Sequence, residues 1–169
     1  MTRHGTLFGR AAVLAAGALV ALALTAAPAG AATKLHFFQK PESQLFLDPS
    51  GNPITNPNAP PAVGDQFIFS DRDYVGNKKH HAKHWTATDH LQCTVTSVSS
   101  TGAAGLCNGQ IAIGGSMLLA ENVKLDLSDS GTTTVPITGG TGKFIHMKGT
   151  ARSVGIGKTN DSEFTIELH

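Results

Sequence analysis

Beyond residue 31 the apolar positions of this chain recur every second residue rather than every third or fourth. Between His84 and Val98, Trp85, Ala87, Leu91, Cys93 and Val95 alternate with His84, Thr86, Thr88, His90, Gln92, Thr94 and Thr96. That is the period of a half-buried strand, and Asp89, which breaks the apolar row, predicts a bulge. The pattern returns over Leu106 to Ile113 and again from Ser116 to Leu127, where Ala120-Glu121-Asn122 interrupts it as a second bulge. Shorter stretches of strand character are Thr33 to Gln39, Gln66 to Ser70 with Phe67 and Phe69 on one face, Thr132 to Thr138, Lys143 to Val154 and Ser162 to Leu168. No helical period longer than two turns appears among them. Eight short, evenly spaced strands joined by turns such as Gly114-Gly115 and Asp129-Ser130-Gly131 predict an all-β barrel or sandwich.

Three segments break the alternation. Pro41 to Pro61 holds six prolines among Asn, Ser and Asp, so it predicts a long loop, either a lid over a barrel mouth or an inert connector, with Leu45-Phe46-Leu47 against apolar surface. Asp71 to Lys79 is polar and reads as a turn. The third break is Pro136-Ile137-Thr138-Gly139-Gly140-Thr141-Gly142-Lys143-Phe144, whose glycines predict a β-turn between strands. It is not a nucleotide loop. Ile137 and Phe144 stand where a phosphate-cradling loop requires Gly and Ser or Thr.

Met1 to Ala31 has the form of a secretory leader, with Arg3 and Arg10, an apolar run from Ala11 to Leu24, and Ala29-Gly30-Ala31 at a cleavage site. A retained membrane anchor is the alternative, although the run is short for a span. Residues 32–169 then form a single domain, in which 32–63 bring the first strand and the Pro-rich loop and 64–169 the barrel body. Without the leader eleven basic residues face twelve acidic ones, so the formal net charge of +1 becomes −1. No basic field for nucleic acid remains, and the expected protein is extracellular with no membrane contact after cleavage. Cys93 and Cys107 are the only cysteines; export favours a disulfide between them, clipping neighbouring strands across a hairpin centred on Ser100.

The glycine-rich run, followed by Gly149-Thr150-Ala151, resembles the hallmark of dirigent proteins and allene oxide cyclases. Upstream, Gly64-Asp65-Gln66-Phe67-Ile68-Phe69-Ser70-Asp71-Arg72-Asp73-Tyr74 is similar to the cyclases' Gly-Asp, Phe-Thr-Asn and Tyr run, and also to small secreted bacterial proteins with an allene oxide cyclase barrel-like domain. The resemblance covers most of Gly64 to Leu168. It implies an eight-stranded antiparallel calycin-like β-barrel. It also implies site positions. Leu35-His36-Phe37-Phe38-Gln39 matches the cyclases' first strand, with Gln39 where they carry a catalytic Glu, and Asp71 falls where they carry Asn. A carboxamide is neutral at all pH and takes no proton, which counts against allene oxide cyclase activity itself. Dirigent proteins line their cavity with Asp and Arg; Asp71, Arg72, Asp73, Tyr74 and Arg152 are the residues of that kind here, while Thr134 stands near their Arg before the glycine turn. Solvated turn contacts are the competing reading of Asp71, Arg72 and Asp73.

The remaining polar feature is Lys78-Lys79-His80-His81-Ala82-Lys83-His84. His80 and His84 share a strand face, but no third ligand joins them and three lysines oppose a cation, so no metal site is expected. No serine-nucleophile motif is present: Gly114-Gly115-Ser116-Met117 lacks the closing Gly. The sequence therefore points to a secreted barrel, without cofactor, that binds a small apolar or aromatic molecule. Phe37, Gln39, Phe69, Asp71, Tyr74 and Arg152 are the expected ligand contacts. A cyclase or isomerase steering stereoselective ring closure is the alternative, with Asp71, Tyr74 and Arg152 as catalytic candidates. A third reading is a filled barrel acting as a structural or interaction protein, as a homodimer or homotrimer.

Overall fold

The computed structural model describes residues 32–56, 59–127 and 131–169. The leader read from Met1 to Ala31 and the turn at Asp129-Ser130 lie outside the described residues. Among the described residues nine strands form one antiparallel sheet: β1 (Thr33–Leu47), β2 (Gln66–Val75), β3 (Ala87–Ser99), β4 (Gly102–Ile113), β5 (Ser116–Asp126), β6 (Thr132–Ile137), β7 (Gly139–Gly140), β8 (Gly149–Gly155) and β9 (Ser162–Leu168). Their order is β6-β8-β9-β1-β2-β3-β4-β5-β7. β6 and β7 are parted only by Thr138, whose N–H donates to the Leu119 carbonyl at 2.8 Å. The two ends of the order are thus one stretch of chain, and the sheet comes round into a nearly closed barrel.

Strand β1 runs eight residues past its predicted end. Pro41 sits where the β1–β2 register shifts, between Pro41 and Ser43, the kind of position that tolerates a missing N–H. Phe46, inside the predicted loop, packs edge-on to Phe67 and Phe69 with ring centroids 5.3 and 5.8 Å away. The loop proper begins at Asp48, whose carboxylate accepts from the Ser50 and Asn52 N–H groups. Strand β2 likewise runs on through Asp71, Arg72 and Asp73, so these are ladder residues and not a turn.

The β3–β2 pairing is unbroken from Ala87 to Thr94, so there is no bulge at Asp89. The bulges lie elsewhere, between Val95 and Ser97 and opposite Asn108, where Glu121 and Asn122 face a single residue as the second predicted interruption requires. Asn122 takes φ 54 there, and its N–H donates to the Asn108 side chain at 2.9 Å. Cys93 and Cys107 pair directly and are bonded, and the hairpin closes with Ser99 opposite Gly102, so that Ser100 and Thr101 alone make the turn.

The glycine-rich run is a correction. Gly139 and Gly140 are strand, paired with Leu119 and Leu118, and the chain turns only afterwards, through a 3₁₀ turn at Gly142–Phe144 that buries Phe144. A Cβ on Gly140 would stand 2.7 Å from the Phe144 carbonyl oxygen, and Gly142 has φ 58, so both positions require glycine for different reasons. β8 therefore starts at Gly149, six residues later than the alternation from Lys143 predicts.

Inward residues form two clusters. The larger gathers Phe37, Ala87, Ile111, Leu118, Ile137, Phe144, Ala151, Phe164, Ile166 and Leu168; the smaller is the disulfide with Leu125, flanked by Phe67, Leu91, Leu127 and Val135. Space remains between them.

Candidate functional site

That space is a cavity of about 250 Å³. Ile111, Leu118, Ile137, Ala151 and Phe164 from the larger cluster and Leu91 and Val135 from the margin of the smaller make its apolar wall, with Phe69 of β2 beside them. Gln39, Asp71, Asp89 and Ser153 make a polar end. Strand alternation explains the grouping. Gln39 on β1, Asp71 and Asp73 on β2, and Ala87, Asp89 and Leu91 on β3 all fall on the inward side of three adjacent strands.

Gln39 is buried and fully engaged. Its Nε2 donates to Asp89 Oδ2, while its Oε1 accepts from Ser153 Oγ at 3.1 Å and from Ser162 Oγ. The Ser153 and Ser162 hydroxyl oxygens also lie 2.9 Å apart, which ties β8 and β9 to the same carboxamide. Asp71 pairs with Asp89 across β2 and β3, and Asp73 pairs with Gln39 across β1 and β2. Asp73 has no exposed surface and neither of its carboxylate oxygens has a hydrogen-bond partner. The nearby Gln39 amide tempers its charge, but that group is committed to Asp89.

Three carboxyls so placed resist ionising together. Burial pushes Asp71 up to about 6, against the hydrogen bonding it shares with Asp89. Burial, then the Asp71 charge, pushes Asp73 up to about 7. Asp89 is driven well above the ordinary carboxylate range by burial, then by the Asp73 and Asp71 charges. Near neutral pH the cluster therefore holds protons that it can give up or take back.

Of the residues expected at the ligand, Gln39, Phe69 and Asp71 line the cavity. Phe37, Tyr74 and Arg152 do not. Phe37 lies in the core behind the wall, 6.4 Å from the Phe164 ring. Tyr74 faces outward, with the Lys40 ammonium 5.6 Å from its ring and His81 at 5.5 Å. Arg152 is exposed between inward Ala151 and Ser153. Asp89 was hidden by its reading as a bulge, yet an acid in an otherwise inward row, between Ala87 and Leu91, is the signal that finds it. The histidine-rich loop lies outside the barrel; His81 stacks on Phe38 at 4.8 Å, and among the described residues no group of three or more His, Cys, Asp or Glu side chains could hold a metal ion.

No protein-family model and no curated protein sequence matches the chain. Solved structures do. The chain is similar to a pyocyanin demethylase, with 24% identity and a TM-score of 0.62 over 81% of this chain and 100% of that one. It is similar to the pterocarpan synthase dirigent protein PsPTS1, at 17% identity and a TM-score of 0.54 over 82% and 93% of the two chains. A nonspecific heme-binding cyclase that catalyses a [4 + 2] cycloaddition in neoabyssomicin biosynthesis shares 12% identity and a TM-score of 0.54, over 82% of this chain and 63% of that one. With these strand pairings, the chain has the dirigent/allene oxide cyclase-like barrel fold.

Proposed function

We propose that this chain is an exported barrel that binds one small, largely apolar or aromatic molecule between its two interior clusters. The observation that carries this reading is the cavity: a barrel that could have filled with side chains leaves about 250 Å³ open, apolar along its wall and polar at one end. That volume lies just under the roughly 300–1,000 Å³ usual for ligand pockets, which suits a compact molecule. Phe69 and Phe164 offer ring faces, and Asp71 and Asp89 fix the orientation. The leader-like Met1 to Ala31 and the Cys93–Cys107 bond support export. Relatives in fold named for a demethylation, a cycloaddition and pterocarpan synthesis are consistent with a barrel that handles ring systems.

One observation favours a second reading, a cyclase or isomerase. Asp71 reaches the cavity with its pKa near 6, where a carboxyl can donate and recover a proton at neutral pH. The barrel would hold one conformer of the substrate while Asp71 and Asp89 move the proton, so orientation supplies most of the rate. Native mass spectrometry of the secreted protein tests the binding reading. A retained small molecule that is lost in Ala120→Phe, which fills the cavity, supports it; equal occupancy in both proteins contradicts it. Turnover that disappears in Asp71→Asn while the ligand still binds separates enzyme from carrier.

A further inference from the structure

We propose that the ligand presents a positively charged N–H group, as an aromatic ammonium or a protonated N-heterocycle does, to the carboxyls of Asp71 and Asp89. The inference rests on the binding reading above and names the chemistry of the ligand's polar end.

The carboxamide at the polar end is held by the protein itself. Gln39 donates to Asp89 and accepts from Ser153 and Ser162, so the groups that face the cavity most freely at the polar end are the Asp71 and Asp89 carboxyls, which accept only when ionised. Asp73 lies directly behind, wholly buried, with both oxygens unpartnered. A buried carboxylate without a partner is costly, and the cluster has three carboxyls and no cation of its own.

Among the described residues no strand packed around the cluster turns a counter-charge toward it. On β1, Lys40 stands outside, over Phe38 and Tyr74. On β2, Arg72 is outside and paired with Glu42. On β3, His90 sits at the rim with its Nδ1 2.9 Å from Ser70 Oγ. β4, β5 and β6 bring only uncharged residues to the cavity, such as Gln110 and Thr133. On β8 Arg152 is exposed, and on β9 Glu163 faces His36 on the outer surface. Among the described residues the cluster thus has two ways to lose its charge, by taking up protons or by meeting a positive group on the ligand.

Such a ligand would draw the cluster toward its ionised form. Because Asp71 is held up near 6 and Asp73 near 7 in the free protein, binding a cation at pH about 6 releases protons, and affinity rises with pH through that range.

Three probes of one ring system test this by calorimetry: naphthylmethylammonium, naphthylmethanol and naphthoate. The ammonium is expected to bind at least about tenfold tighter than naphthoate, with the alcohol between them, and the preference is expected to widen from about pH 5 to about pH 8. Titration in buffers of different ionisation enthalpy is expected to show proton release with the ammonium alone. Asp71→Asn is expected to cut the affinity for the ammonium at least about fivefold more than that for the alcohol, narrowing the gap between them. Asp89→Asn repeats the test where it folds, and the wild-type pH series stands without either variant. Equal affinities, or naphthoate tightest, overturn the charge assignment and leave the cavity reading intact. No binding by any of the three overturns both.

Discussion

Gln39 and Asp89 meet side chain to side chain although β2 runs between their strands. The bond passes over the inward face of β2, where Asp71 and Asp73 stand. One carboxamide thereby holds β1 to β3 at one end and, through Ser153 and Ser162, to β8 and β9 at the other. Removing it should be felt as stability. Gln39→Leu leaves Asp89 and two hydroxyls short of partners and is expected to cost about 1–3 kcal/mol in urea unfolding. Gln39→Glu keeps the acceptor and adds a fourth carboxyl. Its stability is expected to fall more steeply than wild type as pH rises from about 5 to about 8. A pH-independent loss would contradict the account.

The wild-type pH profile follows from the same cluster. Asp71 and Asp73 bind protons more tightly in the folded state, at about 6 and about 7, than at the ordinary value of 3.8 expected when unfolded. Between those values the folded protein holds more protons, so its stability is greatest at the acid end and declines as pH rises through about 7. Asp73→Asn mimics the protonated state and should flatten this decline by something on the order of 2 kcal/mol. Chemical unfolding at a series of pH values measures it. A stability that climbs across the same window would show that these carboxyls are stabilised as anions.

Cys93 and Cys107 are 14 residues apart, and their bond holds the smaller interior cluster. Reduction, or Cys93→Ala with Cys107→Ala, is expected to cost roughly 3 kcal/mol through the freedom returned to the unfolded chain. The cavity's own residues lie outside the bond, so ligand affinity in the folded double variant is expected to stay within about twofold of wild type. A large loss of affinity would place the disulfide in the site.

The glycines of the run from Pro136 to Phe144 predict a graded response. Gly139 has open space where a Cβ would go, whereas at Gly140 it would meet Phe144 and the Met117 carbonyl oxygen at 2.7 to 2.9 Å. Gly140→Ala is expected to destabilise by about 1–3 kcal/mol and Gly139→Ala by well under 1 kcal/mol, read as the difference in unfolding midpoints. Equal effects would mean that the run acts only through backbone freedom.

The strands were legible because burial on one face writes a period of two into the sequence, and the family motifs turned that into a barrel. What escaped was local. Asp89 looks like a defect in an apolar row and Asp73 like part of a polar turn; only the continuous β2–β3 register shows that both stay inward, where the barrel gathers polar groups from distant strands. Pro41 reads as a strand end, but a register shift absorbs it. The glycine run reads as a turn because glycine serves turns and close packing alike. Arg152 faces out because its neighbours Ala151 and Ser153 face the cavity, a parity fixed by the β8–β9 register.

The central claim is that the barrel interior receives a ligand. The measurement that tests it most directly is methyl NMR of the folded protein titrated with naphthylmethylammonium. Signals of Ile111, Leu118, Val135 and Ile137, which line the cavity, are expected to shift in a saturable one-to-one manner, while those of exposed Leu45, Leu106 and Ile145 stay in place. In Ala120→Phe the shifts should vanish with the fold intact. Shifts confined to the outer methyls, or none at all in a folded protein, would contradict the account.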